Sequence, residues 1–409
     1  MKFCLPFSRS YLPTPAFLED REYFLPIRVD VLLERMLRDE RLDESDRESF
    51  RILRQLLGDR FHYEYHATLE SLKSDFVPFD PDCETLAEPD YPPDELHVIR
   101  TRLYASLRQV LQIGNYRELT PEQLAECLEM QPIGGLSVRV DTGDFDEFHV
   151  YYRGVRHREG TERILFFWRR TFPLVCLNRV FVIAQFKPEN GGQVLIKMFK
   201  DVPVENIKII APKVKLGMPV FARIKIGGSV AGSLVAPVSK LLFAFALSWV
   251  SFFVILGGFL IAAFKGLVSF MNSRTKYMQV FSSSLYYKNL SNNNAALTTL
   301  LDAAEVQELK ETLLGYFILY VYRDRAMTMQ ELGGAAEAWV EQQFGHHFDF
   351  EVDDAVRKLI EKRIAQVVES PSESPAASSP ERYRAEGLAE ALRRLDEDWD
   401  AFNTFLDAV

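Results

Sequence analysis

LLFAFALSWVSFFVILGGFLIAAF, Leu241 to Phe264, is an uncharged run closed by Lys240 in front and Lys265 behind. At about 1.5 Å per residue it reaches roughly 36 Å as a helix, enough to cross a hydrocarbon core of about 30 Å with some tilt. The run predicts a transmembrane helical segment, and with it an integral membrane protein of α+β class. A helix buried in a large core is apolar all round for the same reason, but it seldom runs this long without a residue more polar than Ser. The preceding stretch, IGGSVAGSLVAPVS (residues 226–239), is also uncharged but Gly-rich, interrupted by Pro237 and only about 21 Å long as a helix, too short to cross alone. It reads either as the short first leg of a hairpin or as an extended approach to one span. Arg223, Lys225 and Lys240 in front balance Lys265, Arg274 and Lys276 behind, so charge assigns no sidedness.

With 409 residues and 47% hydrophobic content, two or three domains are expected, with cores on both sides of the span. Cys4, Cys83, Cys127 and Cys176 are scattered, with no CxxC pairing, against a disulfide framework or a thiolate zinc site. The opening MKFCLPFSRSYLPTPAF lacks a sustained apolar region and runs into Glu19, Asp20 and Glu22, unlike a secretory signal or a transit peptide. These features place the soluble parts in reduced cytoplasm. Of the net charge of −10, residues 296–409 carry −12 (11 Lys/Arg against 23 Asp/Glu) and the rest +2. An acidic C-terminal domain repels phosphate backbones, so a protein partner is expected there and a nucleic acid is not.

Residues 1–130 read as helical. Val29, Leu32, Leu33 and Met36 share one stripe, as do Phe50, Leu53, Leu56 and Leu57, with Gly58 marking a stop or bend. Five prolines between Phe76 and Glu95 make a loop, another amphipathic helix follows, and Thr120-Pro121-Glu122-Gln123 forms a capping box. From Gly134 the period changes to two. Strand-like runs at 136–140, 148–153, 162–170, 179–186 and 193–199 predict an antiparallel sheet of about four to six strands across residues 131–225. Beyond the membrane segment (226–270) and a connector (271–295), Thr328-Met329-Gln330-Glu331 is a second capping box, opening a helix that ends near Gly345. The helices of 296–363 and a strand at ERYRAEG give a winged-helix-like domain over 296–409. Its spacer, Glu369 to Pro380, is too rich in Ser, Pro and Ala to bury much apolar surface. Arg357, Lys358, Lys362 and Arg363 lie on the helix that would read DNA, but Glu351, Asp353, Asp354 and Glu361 oppose them.

YYKNLSNNNAAL at 286–297 with AAEVQELKETLLGYF at 303–317 resembles the signature of the domain of unknown function 3754 family, the family of transmembrane protein 143. FDPD at 79–82, GLSVRVDTGDFDEFHVYYRG at 135–154, IKMFKDVPVENI at 196–207, FEVDDAVRKL at 350–359 and LRRLDEDWDAF at 392–402 extend the resemblance along the chain. The resemblance implies an integral membrane protein, often with two spans, anchored in a bacterial inner membrane or, in a eukaryote, an organellar membrane, and it implies no particular reaction.

Candidate chemistry is sparse. His62 and His66 have i,i+4 spacing, but the intervening Glu64 is at the wrong offset for HExxH and no third ligand is marked. His346-His347 and the helical trio Asp302, Glu305 and Glu308 are equally weak as metal sites. No nucleotide or catalytic-triad motif occurs, and no cofactor is called for. The sharper candidate is Tyr151, Tyr152, Arg153 and Arg156 with Arg169 and Arg170, guanidinium forks beside aromatics, suited to lipid headgroups or another anion. The plainer reading is a sheet edge with solvent-facing Arg. Function then divides between a membrane-anchored scaffold or adaptor that binds a protein partner and, as alternatives, a transport or channel component or a lipid-headgroup binder.

Overall fold

The computed structural model describes residues 23–83, 91–130, 137–140, 145–165, 168–190, 192–211, 214–217, 286–368 and 381–403, with isolated positions at 18, 143, 261, 264–265, 268 and 271–272. Four helices come first: α1 (Val29–Met36), α2 (Glu44–Phe76), α3 (Pro93–Ile113) and α4 (Pro121–Glu129). Asp43 caps α2 in a box with Asp46, and Thr120 caps α4 in a box with Gln123. Gly58 neither stops nor bends α2, which runs for 33 residues. A Cβ at Gly58 would lie 3.5 Å from Leu309 Cδ2, so the glycine marks close helix contact instead.

A five-stranded antiparallel sheet has the order β1 (Arg117–Glu118), β3 (Phe145–Leu165), β4 (Trp168–Phe186), β5 (Val194–Pro203), β7 (Asn289–Asn292). A separate pair joins β2 (Ser137–Val140) to β6 (Val214–Gly217), and α5 (Ile207–Ile210) lies between β5 and β6 in the chain. The run TFPLVCLN, expected to separate two strands, lies inside β4: Pro173 faces Glu159 across a continuous hairpin. Pro173 also lies beyond the end of β5, which pairs with β4 only from Cys176 to Gln185, so no third strand needs its missing N–H.

Helix α6 (Asn293–Val321) runs through the molecule's centre, buried on nearly every side between α2, α3, β5 and the elements that follow it. These are β8 (Met327–Thr328), α7 (Met329–Phe344), α8 (Val352–Glu361), β9 (Ala365–Val368), β10 (Arg382–Ala385) and α9 (Leu388–Asn403). Strands β8, β10 and β9 pair in that order as a small antiparallel sheet beside α6, α7 and α8. Thr328 caps α7 and Gly345 ends it at φ 63°, a left-handed conformation that suits a residue without Cβ. One hydrophobic cluster runs from Leu25 through α2, α3 and α6 to Leu395, so the N-terminal helices and residues 296–403 share a core. Phe50 of α2 lies 5.9 Å from Tyr316, 5.9 Å from Phe317 and 5.5 Å from Tyr320, edge-on to all three rings.

The α+β class and antiparallel sheet stand, but the expected transmembrane helix is not found among the described residues. Among the described residues no helix is long and apolar enough to cross a membrane. Helices α2, α3 and α6 have the length, yet α2 carries Arg51, Arg54, Asp59, Arg60 and Glu64, α3 carries Arg100, Arg102 and Arg108, and α6 carries Asp302, Glu305, Glu308, Lys310 and Glu311. A helical crossing requires one continuous helix that is both long and nearly free of charge, and no described helix combines the two. Of the expected span 241–264, only Ile261 and Phe264 are described; the stretch 226–239 and Lys240 lie outside the described residues, and Lys265 is exposed.

Candidate functional site

The six residues read together as an anion site are dispersed. Tyr151 and Tyr152 are buried on opposite faces of β3, Tyr151 in the main core and Tyr152 in a second cluster with Val180 and Val202. Arg156 is exposed on the ribbon. Arg169 and Arg170 sit opposite Arg163 and Glu162 at the far end of the same hairpin. Of the candidate arginines whose side chains are described, Arg153 is the enclosed one. Its guanidinium lies 4.0 Å from the Phe24 ring and 4.8 Å from the Tyr116 ring, and Nη1 donates to the Gly114 carbonyl at 2.9 Å.

Arg153 belongs to a cationic row that sequence spacing does not reveal. It pairs in register with Arg179 of β4, and Arg179 pairs with Lys200 of β5. Directly opposed residues share a face, where like charges destabilise a sheet. Just past this row the inward-outward alternation changes phase on all three strands. Tyr151, Phe181 and Met198 face the main core, whereas Val155, Leu177 and Val202 face the second cluster. Positive φ at Gly154 (72°) and Asp201 (51°) accompanies the change. From α6, Lys310 reaches the same Phe24 ring at 4.6 Å and donates to the Leu25 carbonyl at 2.5 Å.

Burial pushes Lys310 down to about 7, with the Arg153 charge adding to the effect, and it lowers Arg153 as well. The neighbouring carboxyl of Glu311 accepts from Gln307 (2.6 Å) and Asn115 (3.0 Å), yet burial raises it to about 8, so it is largely protonated at neutral pH. Among the described residues no carboxylate forms an ion pair with Arg153, Arg179, Lys200 or Lys310. The buried Tyr116 hydroxyl beside them has no hydrogen-bond partner.

On α8 the charges cancel instead. Lys358 is paired with Glu308 and, at 3.3 Å, with Asp354; Lys362 bonds both Glu64 oxygens at 3.2 Å; Arg357 meets Asp354 and Glu361; Arg363 meets Asp398. The four cations that argued for DNA contact are therefore bound internally, and Lys358 and Lys362 face α2 and α6. Beside them a cavity of about 240 Å³ opens between α2, α3 and α8.

His62 stacks on His66 with centroids 6.4 Å apart and contacts Glu305 at 3.3 Å, while Asp302 points away and Glu308 is committed to Lys358. His347 pairs with Glu341. Among the described residues no group of three or more His, Cys, Asp or Glu is placed to hold a metal ion.

The resemblance motifs also meet in space. Asp80 and Asp82 of FDPD accept from Asn294 and Asn293, each at 2.6 Å, while Asn293 Oδ1 accepts from the Ile196 amide at 3.1 Å. The loop after α2 is thereby tied to the start of α6 and to β5. The molecule is thus an α+β protein in which a five-stranded antiparallel sheet and a C-terminal group of helices with a small three-stranded sheet pack on one central helix. Residues 145–295 match the model of a family described as protein of unknown function (DUF3754), the family whose signature the sequence resembles. No solved structure matches the chain.

Proposed function

We propose that the protein is a scaffold or adaptor that offers the far part of the β3–β4 hairpin to a protein partner. The observation behind this is the ribbon's length. β5 leaves β4 at Cys176 and β1 covers only Tyr151 and Tyr152, so among the described residues His157 to Leu165 with Trp168 to Val175 continues as two strands. Nine residues at about 3.3 Å each extend it by roughly 30 Å. A two-stranded ribbon is marginal by itself, and its edges invite strand pairing. Its base is fixed by the second cluster, where Val155 and Leu177 pack with Val202, which suits a rigid platform. The neutralised α8 cations weigh against nucleic acid at that helix.

The test replaces residues 157–175 by an Asn-Gly turn and places a photo-reactive amino acid at exposed Thr171 of the intact chain. The reading expects one cross-linked protein at Thr171 and loss of that protein from complexes of the shortened chain, with melting unchanged within a few degrees. Equal partner recovery with and without the ribbon would refute it.

A further inference from the structure

We infer that Arg153, Arg179, Lys200 and Lys310 form a binding site for a multiply charged oxyanion, a phosphate or the phosphate group of a small ester. This inference is independent of the ribbon reading. Two of the four cations are almost wholly enclosed, Arg153 at 7% and Lys310 at 2% exposure. Enclosed charge is costly unless it is paired, and buried cations are ordinarily placed against carboxylates. That rule is obeyed on α8, where each cation has an acidic partner, and broken here, where three cations stand side by side across β3, β4 and β5 with a fourth above them. The described residues therefore neutralise the cations of α8 and bring no carboxylate to these four.

The donors suit an oxyanion. Phe24 and Tyr116 hold the Arg153 guanidinium by its faces while Nη1 is committed to Gly114, which leaves its other edge N–H groups to form a fork. Tyr116 contributes a hydroxyl with no present partner, buried in the same cluster. Two ammonium groups supply compact charge. The phase change at Gly154 and Asp201 places this row where the sheet turns, at the root of the ribbon. A monocarboxylate would leave most of the charge uncompensated, whereas a dianion balances it better.

The experiment uses the full chain with sodium phosphate, pyrophosphate and sulfate, each against sodium chloride at matched ionic strength, read by calorimetry and by thermal melting at pH 7. Saturable binding is expected below about 1 mM, weakened about tenfold or more by Arg179→Gln and by Lys200→Gln, both half-buried positions whose loss spares the core. Arg357→Gln, a paired cation on α8, should leave affinity unchanged. Lys310→Met should raise the melting temperature without phosphate and abolish the increase that phosphate causes. A second arm compares glycerol 3-phosphate with phosphatidylcholine vesicles containing phosphatidic acid; binding only to the vesicles identifies a headgroup, and binding to the soluble ester a free phosphate. A melting shift no larger than chloride gives, or equal weakening by Arg357→Gln, overturns the site.

Discussion

Replacing Glu311 by Gln tests the electrostatics of the central helix. The Glu311 carboxyl is buried and its raised value, about 8, comes first from loss of water, against lowering by its bonds from Gln307 and Asn115. In the unfolded chain it would titrate near 4.5. The folded form therefore holds a proton that the unfolded form loses between these values, so stability is fullest below about 4.5 and falls as pH rises toward 8. Between pH 5 and 7 the slope is about 1.4 kcal/mol per pH unit, or roughly 2.7 kcal/mol over the window. Lys310, lowered to about 7, stays protonated in both states through most of that window and adds little slope. The Glu351 and Asp354 charges add to the rise, and contributions from the more distant Glu205 and Asp80 cancel between variant and parent. Gln resembles the protonated carboxyl and carries no titration. In urea unfolding at pH 5, 6 and 7, Glu311→Gln should gain on the parent by about 2 to 3 kcal/mol from the first to the last pH. Parallel curves across the three pH values would refute the claim that Glu311 is folded as a neutral acid.

Three further outcomes follow from packing and pairing. Glu308→Gln leaves Lys358 with only the more distant Asp354, and should cost about 3 kcal/mol or more in chemical denaturation, while Glu308→Leu with Lys358→Met should recover most of it. Gly58→Ala should raise stability by about 0.5–1 kcal/mol, since the new methyl meets Leu309 at ordinary contact distance inside a continuous helix; a lowered denaturation midpoint would contradict the packing. Thr328→Ala should cost about 1 kcal/mol by removing the oxygen that accepts from the Glu331 amide at 3.2 Å, and Thr328→Ser should restore it.

Local signals were the legible ones. The capping boxes at Thr120 and Thr328, the Gly345 stop and the change to period two after Gly134 depend on residues a few positions apart, and the structure places caps, stop and strands accordingly. The long uncharged run predicted a crossing helix, which needs length and apolar character in one continuous helix; the described residues, which include only Ile261 and Phe264 of that run, contain none that qualifies. Gly58 misled for a related reason. A glycine reads as a break from local propensity, but tertiary packing against Leu309 holds the helix through it.

The sequence by itself determined the α+β class, the antiparallel sheet and the presence of Arg153 among the candidates, since alternation and side-chain chemistry are properties of neighbouring residues. Tertiary structure alone decided which cations are neutralised. Arg357, Lys358, Lys362 and Arg363 looked available in the sequence and are each met by a carboxylate, one of them on α2 and another on α6. Arg153, Arg179, Lys200 and Lys310, spread over 158 positions from first to last, come together only through strand register and the placement of α6. Charge balance acts over a few ångströms of space whatever the separation along the chain, so folding had to bring the partners together before it could be read.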